Sequence, residues 1–185
     1  MERLYAYSDE TGQDTQGQFF LVATVIAVGA RRDELVEWLE ITEEKCRTRR
    51  GRSRAEKRLD YLDSLLFSGQ LDNSVFYSKY MDTRAYRECT ITSIARALDA
   101  KSPGRDYQAD IVVDGLTRTE IRLFATDLRG RGIPAARIRG ARDESSVLVR
   151  VAHEMVKLVR EAEMGTGGEA SQRFKRALGR VVVEA

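Results

Sequence analysis

Three carboxylates in this chain stand where an apolar run ends. "YAYSDETG" (5–12) carries alternating aromatic and small residues into Asp9, Glu10, Thr11 and Gly12, and "IVVDG" (111–115) ends in Asp114 and Gly115. In an open sheet with helical crossovers, side chains at the carboxyl ends of strands splay into a crevice where ligands bind. Acids brought together there can share a hard cation such as magnesium. That ion takes oxygen ligands, keeps several waters, and uses one or two carboxylates with substrate phosphates. Two such ions about 3.5–4 Å apart activate a water and stabilise the leaving oxygen in phosphodiester hydrolysis. Crowded carboxylates without a cation repel one another, so their convergence needs a reason. A plainer alternative stands beside each acid: Asp and Glu are common turn residues, and Asp114 could simply cap a helix near Thr117. Glu10 directly follows Asp9 and points the other way if the strand continues through both.

The elements that must position these acids follow from periodicity. Residues 3–8 and 18–28 read as strands joined by the turn-like "DETGQDTQG", which predicts an antiparallel hairpin. Residues 31–46 and 55–69 have helical spacing, 73–81 alternates as a strand, and 83–98 reads as a helix. A strand at 107–115 precedes a helix over 117–132, which opens on a Thr117/Glu120 capping box. A short strand at 135–141 and an apolar-striped helix over 143–164 complete the domain; 165–185 reads as a tail with a short helix and the apolar end "VVVEA". That end suits a last edge strand or a contact with a second copy of the chain, which raises a homodimer. A hairpin followed by alternating strands and helices predicts an α/β mixed sheet with helices on both faces. The ribonuclease H-like sheet, with antiparallel strands first and parallel strand–helix units after, fits this order.

Composition narrows the setting. The net charge is only +2 over 185 residues, yet the arginines cluster. "KCRTRRGRSRAEKR" (45–58) holds Arg47, Arg49, Arg50, Arg52 and Arg54, and "RGRGIPAARIRGAR" (129–142) holds five more. Arginine grips phosphate through a planar fork, so such patches are the expected footprint of a polyanion, RNA or DNA; a solvated arginine-rich loop is the alternative. The two cysteines, Cys46 and Cys89, lack metal-ligand spacing. No leader-like opening is visible, nor any apolar run near the roughly 18 residues of a membrane span, so no membrane partner is expected and cytoplasm is the default. There is no GxxxxGK[ST] loop and no GxGxxG after a strand. A single histidine argues against a structural zinc site, and no serine is spaced for a Ser–His–acid triad.

"YAYSDETGQDTQGQFFLVATVIA" resembles the opening of the domain-of-unknown-function 3800 family, which typically begins with a strand, a D-E-S-G motif and a second apolar strand. Thr11 here replaces the usual serine. "IVVDG" is similar to that family's internal strand ending in aspartate, and "DESSVLVRVAHEMVKLVREA" to its closing helix. The resemblance implies a ribonuclease H-like fold and a metal-dependent, nuclease-type site with Mg2+ or Mn2+, in a family associated with mobile elements and phage defence. Carried over, Asp9 would be the first-strand metal ligand with Glu10 beside it, Asp114 the second strand's ligand, and Glu44, chosen over Glu43, a further acid. The closing helix departs from the pattern: where the family has aspartate after alanine, this chain has His153 after Ala152. Histidine can ligate manganese or move a proton near neutral pH, but serves magnesium less well than carboxylate. A half-exposed helix residue is the plainer account of it. Asp143 is a poor substitute, about 15 Å from His153 along the helix axis. Two functions are thus expected: a metal-dependent nuclease, or a catalytically degenerate module that binds nucleic acid or a protein partner.

Overall fold

The computed structural model describes residues 1–104, 106–141 and 145–185; Arg142 of the second basic cluster and Asp143 lie outside them. Twelve main elements follow the predicted order. They are β1 (Glu2–Thr11), β2 (Phe19–Val28), α1 (Arg32–Thr48), α2 (Arg54–Phe67), β3 (Val75–Met81), α3 (Tyr86–Lys101), β4 (Tyr107–Asp114), α4 (Arg118–Gly130), β5 (Ala135–Ala141), α5 (Val147–Glu163), α6 (Glu169–Ala177) and β6 (Val182–Glu184).

The six strands lie in the order β5-β4-β1-β2-β3-β6. The β1–β2 and β2–β3 pairs are antiparallel, and β4 joins β1 in parallel. β5 and β6 pair in parallel with β4 and β3. Both faces are covered, so β2 is almost continuously apolar instead of alternating with polar residues. Its Leu21, Ala23 and Val25 join Tyr7 of β1 beneath α1, α2, α5 and α6. Its Ile26 joins Leu4 and Ala6 beneath α3 and α4, while Phe20 and Val22 pack with Cys89 of α3.

α5 lies in the middle of the first face because its stripe from Val147 to Val159 is buried. The burial of that stripe, at about 25 cal/mol per Å² of apolar area, holds α5 against the sheet. α1 docks through Leu35 and Leu39, one turn apart. The last segment is not peripheral. Ala170, Phe174 and Ala177 of α6 are buried in the core of the first face, and Val181 and Val182 are buried where β6 extends the sheet. The apolar end that raised a contact with a second copy is therefore used inside the sheet. No helix among the described residues is long and apolar enough to cross a membrane.

Candidate active site

The first strand runs further than its acids suggest. β1 remains paired through Thr11, with Asp9 opposite Ala23 and Glu10 opposite Val22. Asp9 therefore sits inside the ladder and not in a turn, and it is only 6% exposed. Gly12 closes the hairpin. Its φ is +104°, and a Cβ there would lie 2.2 Å from the Phe19 carbonyl oxygen, so only glycine fits. The Thr15 hydroxyl fastens the same turn to the Gly12 and Phe19 carbonyls at 2.6 and 2.7 Å.

Strand parity sends the two neighbouring acids to opposite faces. Asp9 points under α5, where its Oδ2 lies 2.8 Å from Nδ1 of His153 and its Oδ1 accepts the Glu10 backbone N–H at 2.7 Å. The bond holds the imidazole in one orientation, with Nδ1 as its donor when the carboxylate is ionised. Glu10 points under α3. Its Oε2 accepts from the Thr90 hydroxyl and its Oε1 from Nε2 of Gln13 at 2.6 Å. Burial pushes the Glu10 carboxyl up; the Thr90 hydrogen bond opposes this and the charge of Asp9 adds to it.

Asp114 is the last residue of β4. Gly115 follows at φ +68° and donates its N–H to Ala141, fixing the exit from the strand. The parallel register pairs Tyr7 with Val112 and Ser8 with Val113, so Asp9 and Asp114 each follow the last pair of the two adjacent strands. The Thr117/Glu120 capping box forms as its spacing predicts, and its hydrogen bonds lower the Glu120 carboxyl. The helix thus has its own cap, so Asp114 does not cap it. Asp9, Glu10, Asp14, Asp114, Glu120 and Arg160 line one open crevice of about 580 Å³.

The structure thus brings Asp9 and His153 into contact and sets Asp114 along the same crevice. It does not bring Glu44 there. Glu44 is 56% exposed on α1 and accepts from Arg47 one turn on. Glu43 is the α1 acid that faces α5, held by Arg150 through hydrogen bonds of 3.1 to 2.8 Å. The signal was present in the sequence: Glu43 continues the buried Leu35–Leu39 stripe by four residues, whereas Glu44 is turned about 100° further. Among the described residues, no three His, Cys, Asp or Glu side chains converge as a ready cation cage.

The arginine cluster also differs from the expected open loop. Arg47 lies in the last turn of α1 and Arg54 opens α2, which leaves 49–53 as the connection. Arg49 pairs with Asp60 and Arg52 with Glu56, acids that α2 presents to the connection. Arg50 and Arg54 make no ion pair among the described residues. Exposed pairs of this kind are weak, so these arginines can exchange a carboxylate for a phosphate at small cost.

Arg160 escaped the sequence reading. It donates to the Thr11 hydroxyl at 2.7 Å and to Asp14, tying α5 to the "DETG" turn. Its position seven residues after His153, on the same helix face, was the available clue.

No protein-family model matches the chain, and no curated protein matches its sequence. Solved structures do resemble it. The ribonuclease H2 of Pyrococcus horikoshii OT3 superposes with a TM-score of 0.54 at 16% identity, over 88% of this chain and 74% of that one. The RNase HII of Archaeoglobus fulgidus, solved in complex with PCNA, gives 0.53 at 17% identity, over 88% and 75%. At such identities the likeness establishes architecture alone: the chain has a ribonuclease H-like fold.

Proposed function

We propose that this chain is a divalent-metal-dependent nuclease that hydrolyses phosphodiester bonds in RNA or DNA, and that it belongs to the domain-of-unknown-function 3800 family. The observation that carries the reading is the placement of Asp9 and Asp114 on adjacent parallel strands, lining one crevice beneath α5. Their chemistry suits a hard cation, because magnesium or manganese needs only one or two protein carboxylates when waters and a substrate phosphate supply the remaining oxygens. A bound divalent ion would supply an activated water and neutralise charge at the phosphorus.

The chain's own side chains do the rest. Asp9 holds the His153 ring through Nδ1, which sets the imidazole to give or take a proton beside Asp9. Arg160 fixes the hairpin that carries Asp9. Arg50 and Arg54 supply cations for the nucleic-acid backbone, and salt should weaken binding steeply.

The test is a nuclease assay on RNA and DNA oligonucleotides with magnesium or manganese, comparing wild type with Asp9→Asn and Asp114→Asn. Loss in both supports the reading, and undiminished cleavage in both overturns the site.

A second reading is favoured by the Asp9–His153 bond, which occupies one carboxylate oxygen where the family pattern has another acid. It is a ribonuclease H-like module that binds without cutting. His153→Asp separates the two: cleavage gained from an inactive wild type marks a degenerate enzyme, and cleavage lost from an active one marks an adapted enzyme.

A further inference from the structure

Beside His153, residues of α1, α2 and α5 line a second cleft of about 690 Å³. His153 lines this cleft while bonding Asp9, so the two sites adjoin through one side chain. Six arginine and lysine residues line it against two acids. Arg58 is anchored through Nε to Glu154 and through Nη1 to Glu161. Arg150 is anchored on Glu43. Arg54 and Lys157, both exposed, make no ion pair or hydrogen bond among the described residues. Between the cations lies apolar surface from Cys46, Ala55 and Tyr61.

Two buried polar atoms of residues that line this cleft have no hydrogen-bond partner among the described residues: Nη2 of Arg58 and the hydroxyl of Tyr61. Buried donors left unmatched are rare and costly, and each asks for a missing partner. Arg58 Nη2 can only donate and the Tyr61 hydroxyl can donate, and the cleft lining carries more cations than acids, so an anionic acceptor matches them. A volume of this size falls within the range of sites for nucleotide-sized ligands. Apolar surface bordered by unpaired cations is how proteins take a single-stranded nucleotide, with base or sugar on the apolar part and phosphate on the cations.

We propose that the α1–α2–α5 cleft is a nucleotide subsite for single-stranded nucleic acid, with Arg54 and Lys157 receiving the phosphate and Arg58 and Tyr61 forming the polar floor. The proposal rests on the reading of the chain as a protein that handles nucleic acid, but not on catalysis. A strand seated here leads past His153 to the Asp9 crevice.

The test is fluorescence anisotropy of labelled 12-nucleotide single strands, DNA and RNA, with wild-type protein in EDTA. Arg54→Glu with Lys157→Glu is compared with Lys175→Glu and Arg176→Glu on α6, which sits by the far end of α2, where Arg176 stacks over Phe67. Arg54→Gln with Lys157→Gln serves as the charge-neutral pair, and Tyr61→Phe removes the orphaned hydroxyl. The cleft pair should weaken binding more than about tenfold and flatten the salt dependence by about 0.7 in log–log slope, one phosphate contact's worth for a single strand. The α6 pair should change binding less than about twofold. The subsite is overturned by an absence of strand binding, by equal losses in both pairs, or by polyglutamate displacing the strand as readily as an unlabelled oligonucleotide of equal charge. If Asp9→Asn leaves cleavage intact while the cleft pair loses binding, the nuclease assignment falls and the subsite stands.

Discussion

Asp9 and Glu10 are consecutive residues on one strand, yet they occupy contrasting environments. Under α5, Asp9, itself on the wall of an open crevice, meets an ionisable, half-exposed imidazole. Under α3, Glu10 meets a threonine hydroxyl and an amide, and its carboxyl is pushed up by burial. Both acids line the crevice at the strand end, but Asp9 is bonded there to an ionisable imidazole and Glu10 to a hydroxyl and an amide. Adjacency in sequence therefore says little about shared chemistry when the intervening geometry is a β-strand.

This contrast can be broken or sharpened by substitution. The largest effect belongs to the α5 face. Asp9→Asn should cut metal-dependent cleavage by more than about 100-fold, beyond the 10–100-fold typical of groups that only support a metal ligand. Its thermal midpoint should stay within about 3 °C of wild type, roughly the effect of 1 kcal/mol in a domain this size. A large midpoint drop alongside the lost activity would place Asp9 in the structural class and erase the contrast.

Next comes the turn that fixes both acids. Gly12→Ala forces a Cβ against the Phe19 carbonyl at positive φ and should cost at least about 2 kcal/mol by denaturant titration. An unchanged midpoint would show that the hairpin end is free to shift.

Thr90→Val removes the hydroxyl that Glu10 accepts from and should cost about 1.5 kcal/mol, the range for a hydrogen bond to a charged partner. The cost should shrink in a Glu10→Gln background; additive losses would mean the two do not interact.

The smallest effect is one of pH. The Glu10 carboxyl is raised above its ordinary 4.5, so the folded chain holds this proton more tightly than the unfolded chain. The stability it contributes is fully present below pH 4.5 and declines as pH rises through the folded value. Glu10→Gln should therefore show a flatter stability curve than wild type in that window, with its relative standing improving toward neutral pH. Parallel curves from pH 4 to 7 would contradict the environment assigned to Glu10.

Where local chemistry decides, the sequence was readable. The β1–β2 hairpin followed from its alternation and its turn residues, the α4 start from Thr117 and Glu120, and the parity of Asp9 and Glu10 from the strand itself. What stayed hidden depends on which surfaces meet. Arg49 finds Asp60 only because α2 folds back on α1, and Arg58 finds Glu154 and Glu161 across 96 and 103 residues. The choice of Glu44 over Glu43 shows an intermediate case: the helical phase was legible from Leu35 and Leu39, but its meaning required knowing that α5 lies on that side. His153 was conspicuous as the one histidine, though nothing in its spacing named Asp9 as its partner.

The hairpin turn at Gly12 has a consequence for how this chain can tolerate insertions. A strand assigns its side chains by odd and even position, so the two acids are held apart by counting and not by distance. One extra residue between Tyr7 and Asp9 would exchange their faces, placing Asp9 under α3 in place of Glu10 and turning Glu10 toward α5. Extra residues at 13–18 would leave the count intact. The loop is thus open to change in length, while the few residues before it are locked to an exact number.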